Sequence, residues 1–110
     1  MAPLFLDPGM LNRQVALDQA VIGDDGSGGG ETSWQEVREL SVHVEPVSVA
    51  SWERFDQREA LVTHRVICRA NGDVMRGMSL RIGSRRLVIL SVHDPDETGR
   101  YLVCRCEEER

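Results

Sequence analysis

The sequence predicts a mainly all-β fold: a small six-stranded β-barrel or sandwich with one short helix and a long Gly-rich hairpin loop. Three observations predict it. Apolar and β-branched residues alternate with polar ones at period two over six separate runs. Gly, Asn, Asp and Pro punctuate those runs at intervals suited to turns. Only residues 49–60 carry helical spacing, so strands must supply the architecture. A chain of 110 residues makes one domain, 1–110, with a modest core.

The elements follow in order. Residues 1–11 form a tail containing Pro3, Pro8 and Gly9, which excludes a long helix. Its Leu4, Phe5 and Leu6 are apolar enough to require a partner surface. A strand over 13–22 puts Val15, Leu17 and Val21 on one face, with Gln14 and Asp18 on the other. Residues 23–31, GDDGSGGGE, hold five glycines and three acids, and this composition predicts a mobile, negatively charged loop. The next strand, 33–47, puts Trp34, Leu40, Val42 and Val44 on one face, so the first two strands form a long hairpin with the Gly-rich loop at its tip. Pro46 ends their pairing or marks an edge. Over 49–60, Ser51 can cap a short helix with Trp52 and Phe55 at i, i+3 spacing.

The central stretch is 61–96. A strand over 61–69 leads into the turn signal Asn71-Gly72-Asp73 and a connector holding Met75 and Met78. A strand over 78–82 reverses at Gly83-Ser84 into another over 85–93. Gly then Ser between two alternating runs predicts a II′ hairpin, because Gly alone takes positive φ cheaply at the first central position. Asp94-Pro95-Asp96 ends the third strand, since Pro cannot continue a ladder. A last strand over 100–107 leads into a solvated acidic end.

Charge and motifs exclude several function classes. The formal net charge is −5, which argues against gripping a phosphate backbone. Trp34, Trp52 and Phe55 could form a stacking platform for single strands, but no basic groove surrounds them. All 13 basic residues are Arg. Four of them, Arg76, Arg81, Arg85 and Arg86, fall in the acid-free segment 74–93. That polarity against the acidic loop and C-terminus suits self-association or a charged partner. Cys68, Cys104 and Cys106 lack the paired spacings of a zinc site, even with His43, His64 and His93 available, and unbridged cysteines fit a reducing compartment. His64 shares a face with Val62, Val66 and Cys68 and reads as a semi-buried, hydrogen-bonded His. Asp94-Pro95-Asp96-Glu97-Thr98 spells the D-x-D-x-T signature of haloacid-dehalogenase-type phosphatases. Here, however, it has no Lys and no βαβ pattern around it, so it reads as a turn. No enzyme activity and no cofactor or metal is expected. With neither a signal peptide nor a membrane span in the sequence, a protein that is soluble and intracellular when made is expected.

The order of the features carries a resemblance over nearly the whole chain. Leu11-Asn12-Arg13-Gln14-Val15 opens the first strand, a Gly-rich tip follows, and Trp34 opens the second. Val44-Glu45-Pro46-Val47 and Glu53-Arg54-Phe55 come next, then Thr63-His64-Arg65-Val66, Gly77-Met78-Ser79-Leu80-Arg81, Arg86-Leu87-Val88-Ile89 and Asp94-Pro95-Asp96-Glu97. This order resembles the phage head–tail joining family, the head-closure or stopper proteins of long-tailed phages and gene transfer agents. The resemblance implies a structural virion protein without catalysis, forming a ring of itself (a hexamer or dodecamer) below the portal and adaptor. Such a ring closes the DNA channel and offers a docking face to a tail terminator or tail tube protein. Double-stranded DNA would pass without sequence-specific binding, and no membrane is involved. By position, the channel loop is Asp24, Asp25, Gly26, Gly28, Gly29, Gly30 and Glu31. Leu4, Phe5, Leu6, Arg76, Arg81, Arg85 and Arg86 are the expected ring or partner contacts. The alternative is a small β-barrel that binds nucleic acid or protein.

Overall fold

The computed structural model describes residues 7–24, 30–47 and 61–109. After a 3-10 turn at Pro8–Met10 come six strands: β1 (Arg13–Asp24), β2 (Gly30–Pro46), β3 (His64–Arg69), β4 (Ser79–Ile82), β5 (Arg85–His93) and β6 (Tyr101–Glu108). All pair antiparallel in one sheet, in the order β1-β2-β3-β6-β5-β4, and β4 returns to β1 so that the sheet closes in a ring. The all-β, six-strand expectation therefore holds. The helix expected over 49–60, with Trp52 and Phe55, lies outside the described residues, as do Leu4, Phe5 and Leu6.

Period-two alternation fills the interior. Leu17, Leu80 and Leu87 from three neighbouring strands are fully buried and form the centre of the core, with Val42, Val66 and Ile89 around them. Each such side chain contributes about 1.5–3 kcal/mol on burial. The connector between β3 and β4 adds Val74 and Met78 to the same cluster. It can turn inward because Asn71 Oδ1 accepts the Asp73 and Val74 amides at 2.9 and 3.2 Å. The Ile89 amide then binds the Met78 carbonyl at 2.8 Å. A smaller cluster of Leu11, Ile67, Tyr101 and Val103 lies on the opposite face of β3 and β6. The segment before β1 thus covers part of the sheet's outer surface.

The hairpin of β4 and β5 turns as predicted. Gly83 has φ of 59°, while Ser84 keeps a negative φ, and Ile82 pairs with Arg85. That places the only left-handed residue at the first central position, which defines the II′ form.

Two bulges depart from simple alternation. In β5, Ile89 pairs with Cys106 and Ser91 with Arg105, leaving Leu90 extra. In β2, Leu17 pairs with Arg38 but Asp18 with Glu36, leaving Val37 extra. The second bulge corrects the sequence reading of β2. One inserted residue exchanges the two faces, so Trp34 shares its face with Ala20 and Asp18, not with Leu40, Val42 and Val44.

Candidate functional site

The long hairpin is the outstanding feature of the molecule. β1 pairs with β4 only over Ala16–Asp18, and β2 pairs with β3 only over Val42–Pro46. Beyond these contacts, among the described residues, Gln19 to Asp24 pair solely with Gly30 to Gln35. Six pairs at ~3.4 Å per residue make a two-stranded arm projecting about 20 Å. The molecule accordingly measures 51 × 31 × 25 Å. Every described side chain on the arm is exposed except Trp34, which is half-buried. Ile22 is 75% exposed and lies over Gly30, where a Cβ would come within 2.7 Å of Ile22 Cγ2. Of the predicted channel-loop residues, Asp24 and Gly30 are the last pair of the arm, and Glu31 is exposed beside them. Asp25, Gly26, Gly28 and Gly29 lie outside the described residues.

The arm is anchored at its base by charge. Asp18, assigned by alternation to a polar face, is only 2% exposed. Its Oδ2 accepts hydrogen bonds from Arg81 Nε at 3.0 Å and Arg86 Nη1 at 2.9 Å. Arg81 also donates to Glu36 Oε1 at 2.9 Å, and Arg86 to Ser79 Oγ at 2.6 Å. The Arg86 guanidinium sits 4.6 Å above the Trp34 ring, a cation–π contact. Burial alone would raise the Asp18 pKa, but the two arginines hold it below the ordinary carboxylate value. Four strands, β1, β2, β4 and β5, are thereby clamped together where the arm leaves the ring. Alternation alone missed Asp18, Glu36 and Trp34 as partners. A signal existed: the arginines of the acid-free segment 74–93 had to find carboxylates on other strands.

The predicted contact arginines are not brought into one patch with free charges. Arg81 and Arg86 belong to the clamp. Arg85 pairs with Glu108 at 2.8 Å and approaches His64 Nε2 at 3.3 Å. Arg76 lies in the connector, beside a groove lined also by Met75 and Leu90. The C-terminal acids are correspondingly not a loose tail. Glu107 accepts the Leu61 amide at 2.7 Å, Glu108 holds Arg85, and Glu109 approaches Arg86 at 3.8 Å. For Glu107 and Glu108 the sequence reading as a solvated end is corrected by β6, which extends through Glu108 and places both opposite β5, while Glu109 is exposed.

His64 is semi-buried and hydrogen-bonded, as its position on the strand implied. Its Nδ1 is 2.9 Å from Thr63 Oγ1, and burial lowers its pKa. Asp94-Pro95-Asp96 ends β5 in a turn. Asp94 accepts the Asp96 and Gly99 amides, and Asp96 accepts Thr98 and Arg100. Cys68, Cys104 and Cys106 are buried free thiols. Burial pushes Cys106 up to about 12, so it remains protonated and unreactive. Among the described residues, no three His, Cys, Asp or Glu side chains are placed to hold a metal ion.

The sequence profile of a family described as phage head completion protein matches residues 6–109. Among solved structures, one similar chain comes from the "Virion of native gene transfer agent (GTA) particle". It shares 27% identity, covers 89% of this chain and 94% of its own length, and has a TM-score of 0.67. A search of curated proteins finds no match.

Proposed function

The chain belongs to the phage head completion protein family, and from that membership we propose that it is a connector ring below the portal or adaptor of a phage or gene transfer agent particle. Its role is structural and non-enzymatic, as the family and the likeness to a gene transfer agent virion chain indicate. In the particle it closes the DNA channel and presents a docking face to the tail.

The projecting arm carries this reading. A closed sheet has no open edge to offer, so the body is inert, and the arm is the part of the molecule built to reach beyond it. Directed inward in a ring, it carries the acidic, glycine-rich segment 23–31 to the channel. There the three acids of that segment repel the phosphates of passing DNA and keep the duplex from sticking. The apolar Leu4, Phe5 and Leu6 serve as the contact with a neighbouring ring.

Deleting residues 25–29 tests the proposal in assembled particles. We expect particles that still join tails but lose packaged DNA. Full retention and full transfer or infection would remove the channel role and leave a plain spacer.

A further inference from the structure

We infer that the arms of neighbouring copies pair edge to edge, the outer edge of β1 in one copy against the outer edge of β2 in the next, and close into a cylinder of strands around the channel. This deepens the ring reading above and rests on it. Among the described residues, β1 over 19–24 has no ladder partner but β2, and β2 over 30–35 has none but β1. Each strand of the arm therefore turns alternate backbone amides and carbonyls outward without a ladder partner. Edges of this kind are templates for a further strand, and a ribbon that must stay single is guarded by charged side chains, Pro or a bulge. The arm lacks those guards. Residues 19–22 and 32–35 contain no Asp, Glu, Lys, Arg or Pro, in a chain of which 28% is charged. The bulge at Val37 and the acids Asp18 and Glu36 stand at the base of the arm, below this uncharged shaft.

The presence of two open edges identifies the partner as further copies of this chain. A strand from another protein would fill one edge of the arm and leave the other open. Arms set side by side fill both, because the edge that one copy leaves open is the edge the next one needs. β1 and β2 run in opposite directions with equal free lengths, so β1 of one copy meets β2 of the next antiparallel. The contact is head-to-tail, the kind that generates rings when the rotation closes, and a closed series leaves no edge. Two strands per copy carry a hexamer or any larger ring above the roughly eight strands at which side chains fill a barrel, so a lumen remains. Edge pairing also reaches both exposed apolar side chains of β1. Val21 and Ile22, 37% and 75% exposed, are consecutive and lie on opposite faces of the ribbon, so no single docking surface covers them. A strand added beside β1 gives each a cross-strand neighbour, and uncharged shafts meet without like-charge repulsion.

Hydrogen exchange and photo-crosslinking in assembled particles test the pairing. Amides of 19–24 and 30–35 should exchange at least about tenfold more slowly in particles than in the isolated monomer. Unchanged exchange would overturn the pairing. A diazirine amino acid in place of Gln19, whose side chain is exposed, should give dimers of this chain on irradiation. Cleavage after Arg leaves residues 14–38, the whole arm, as one peptide, and in the dimer that peptide should be joined to a second copy of itself. Arm peptides joined instead to the body of a neighbouring copy, or to another protein of the particle, would sink the proposal. A dihydrazide linking surface carboxylates reports adjacency of copies whatever their orientation. A dihydrazide ladder without the arm-to-arm peptide would overturn the edge pairing and leave the ring intact. Absence of the ladder and of the arm-to-arm peptide would remove the ring and this pairing with it.

Discussion

Asp18 is the carboxylate that Arg81 and Arg86 share at the base of the arm. One carboxylate oxygen accepts two guanidinium hydrogen bonds, and burial shields both from water. Asp18→Asn removes the charge but keeps the shape, and the expected loss is about 2 kcal/mol in urea unfolding at neutral pH. Because the folded pKa lies below the ordinary value of 3.8, this stabilisation is present above that pH and disappears as pH falls through the folded value. His64 acts nearer neutrality. Arg85 can only donate to Nε2, so Nε2 accepts and the proton resides on Nδ1, which donates to Thr63 Oγ1. Protonation would set a second N–H against Arg85. The folded pKa lies below the ordinary 6.5, and that of His93 is lowered likewise, so the unfolded chain takes up protons first. Stability is whole above about 6.5 and declines as pH drops from there. The urea midpoint should fall between pH 7 and pH 5.5, with a shallower decline in His64→Gln. A midpoint that stayed constant would show that His64 titrates alike in both states.

At the scale of elements, turns and bulges set the register. Gly83→Ala meets no atom within 4 Å of the added Cβ, so its cost is the left-handed backbone alone, about 1 kcal/mol in thermal or urea unfolding. The bulge at Val37 is a stronger constraint. Val37 is 41% exposed, and Val37→Thr should leave stability nearly unchanged. Deleting Val37 would restore strict alternation and turn Trp34 and Glu36 away from Arg86 and Arg81. The expected loss is at least ~2 kcal/mol, in the upper part of the usual mutational range. Equal stability of the two variants would show that the bulge carries no structural role. The strand Arg85–His93 was legible because its run is apolar and β-branched and is bounded by Gly83 and Pro95, although its bulge at Leu90 was not. The Val37 bulge was not legible, since a bulge is a count of two residues against one and exists only relative to the partner strand.

The whole molecule divides into a closed body and an arm. In the body every strand has two neighbours, and the interior is continuous from Val15 to Cys106. Among the described residues no third strand pairs with the arm. Amides of 19–24 and 30–35 in the isolated protein should exchange with solvent orders of magnitude faster than those of His64–Arg69 and Tyr101–Glu108, measured by hydrogen exchange. Equal protection would mean that the arm folds back onto the body. The seam between β1 and β4 has only three residue pairs, and the Asp18 clamp spans it. This explains why the clamp sits at that position: it closes the ring of strands and orients the arm at once.

The sequence by itself determined the strand content, the turns, the long hairpin with its acidic tip, and the family order of motifs. These are local properties, readable from alternation, from Gly and Pro, and from spacing along the chain. The tertiary structure decided which face each residue of β2 presents, where the arginines find their carboxylates, and where the arm separates from the body. It also brought Met75 beside the β5 bulge. All of these depend on which strands lie side by side, and pairing between residues as distant as Asp18 and Arg86 is settled only when the sheet closes.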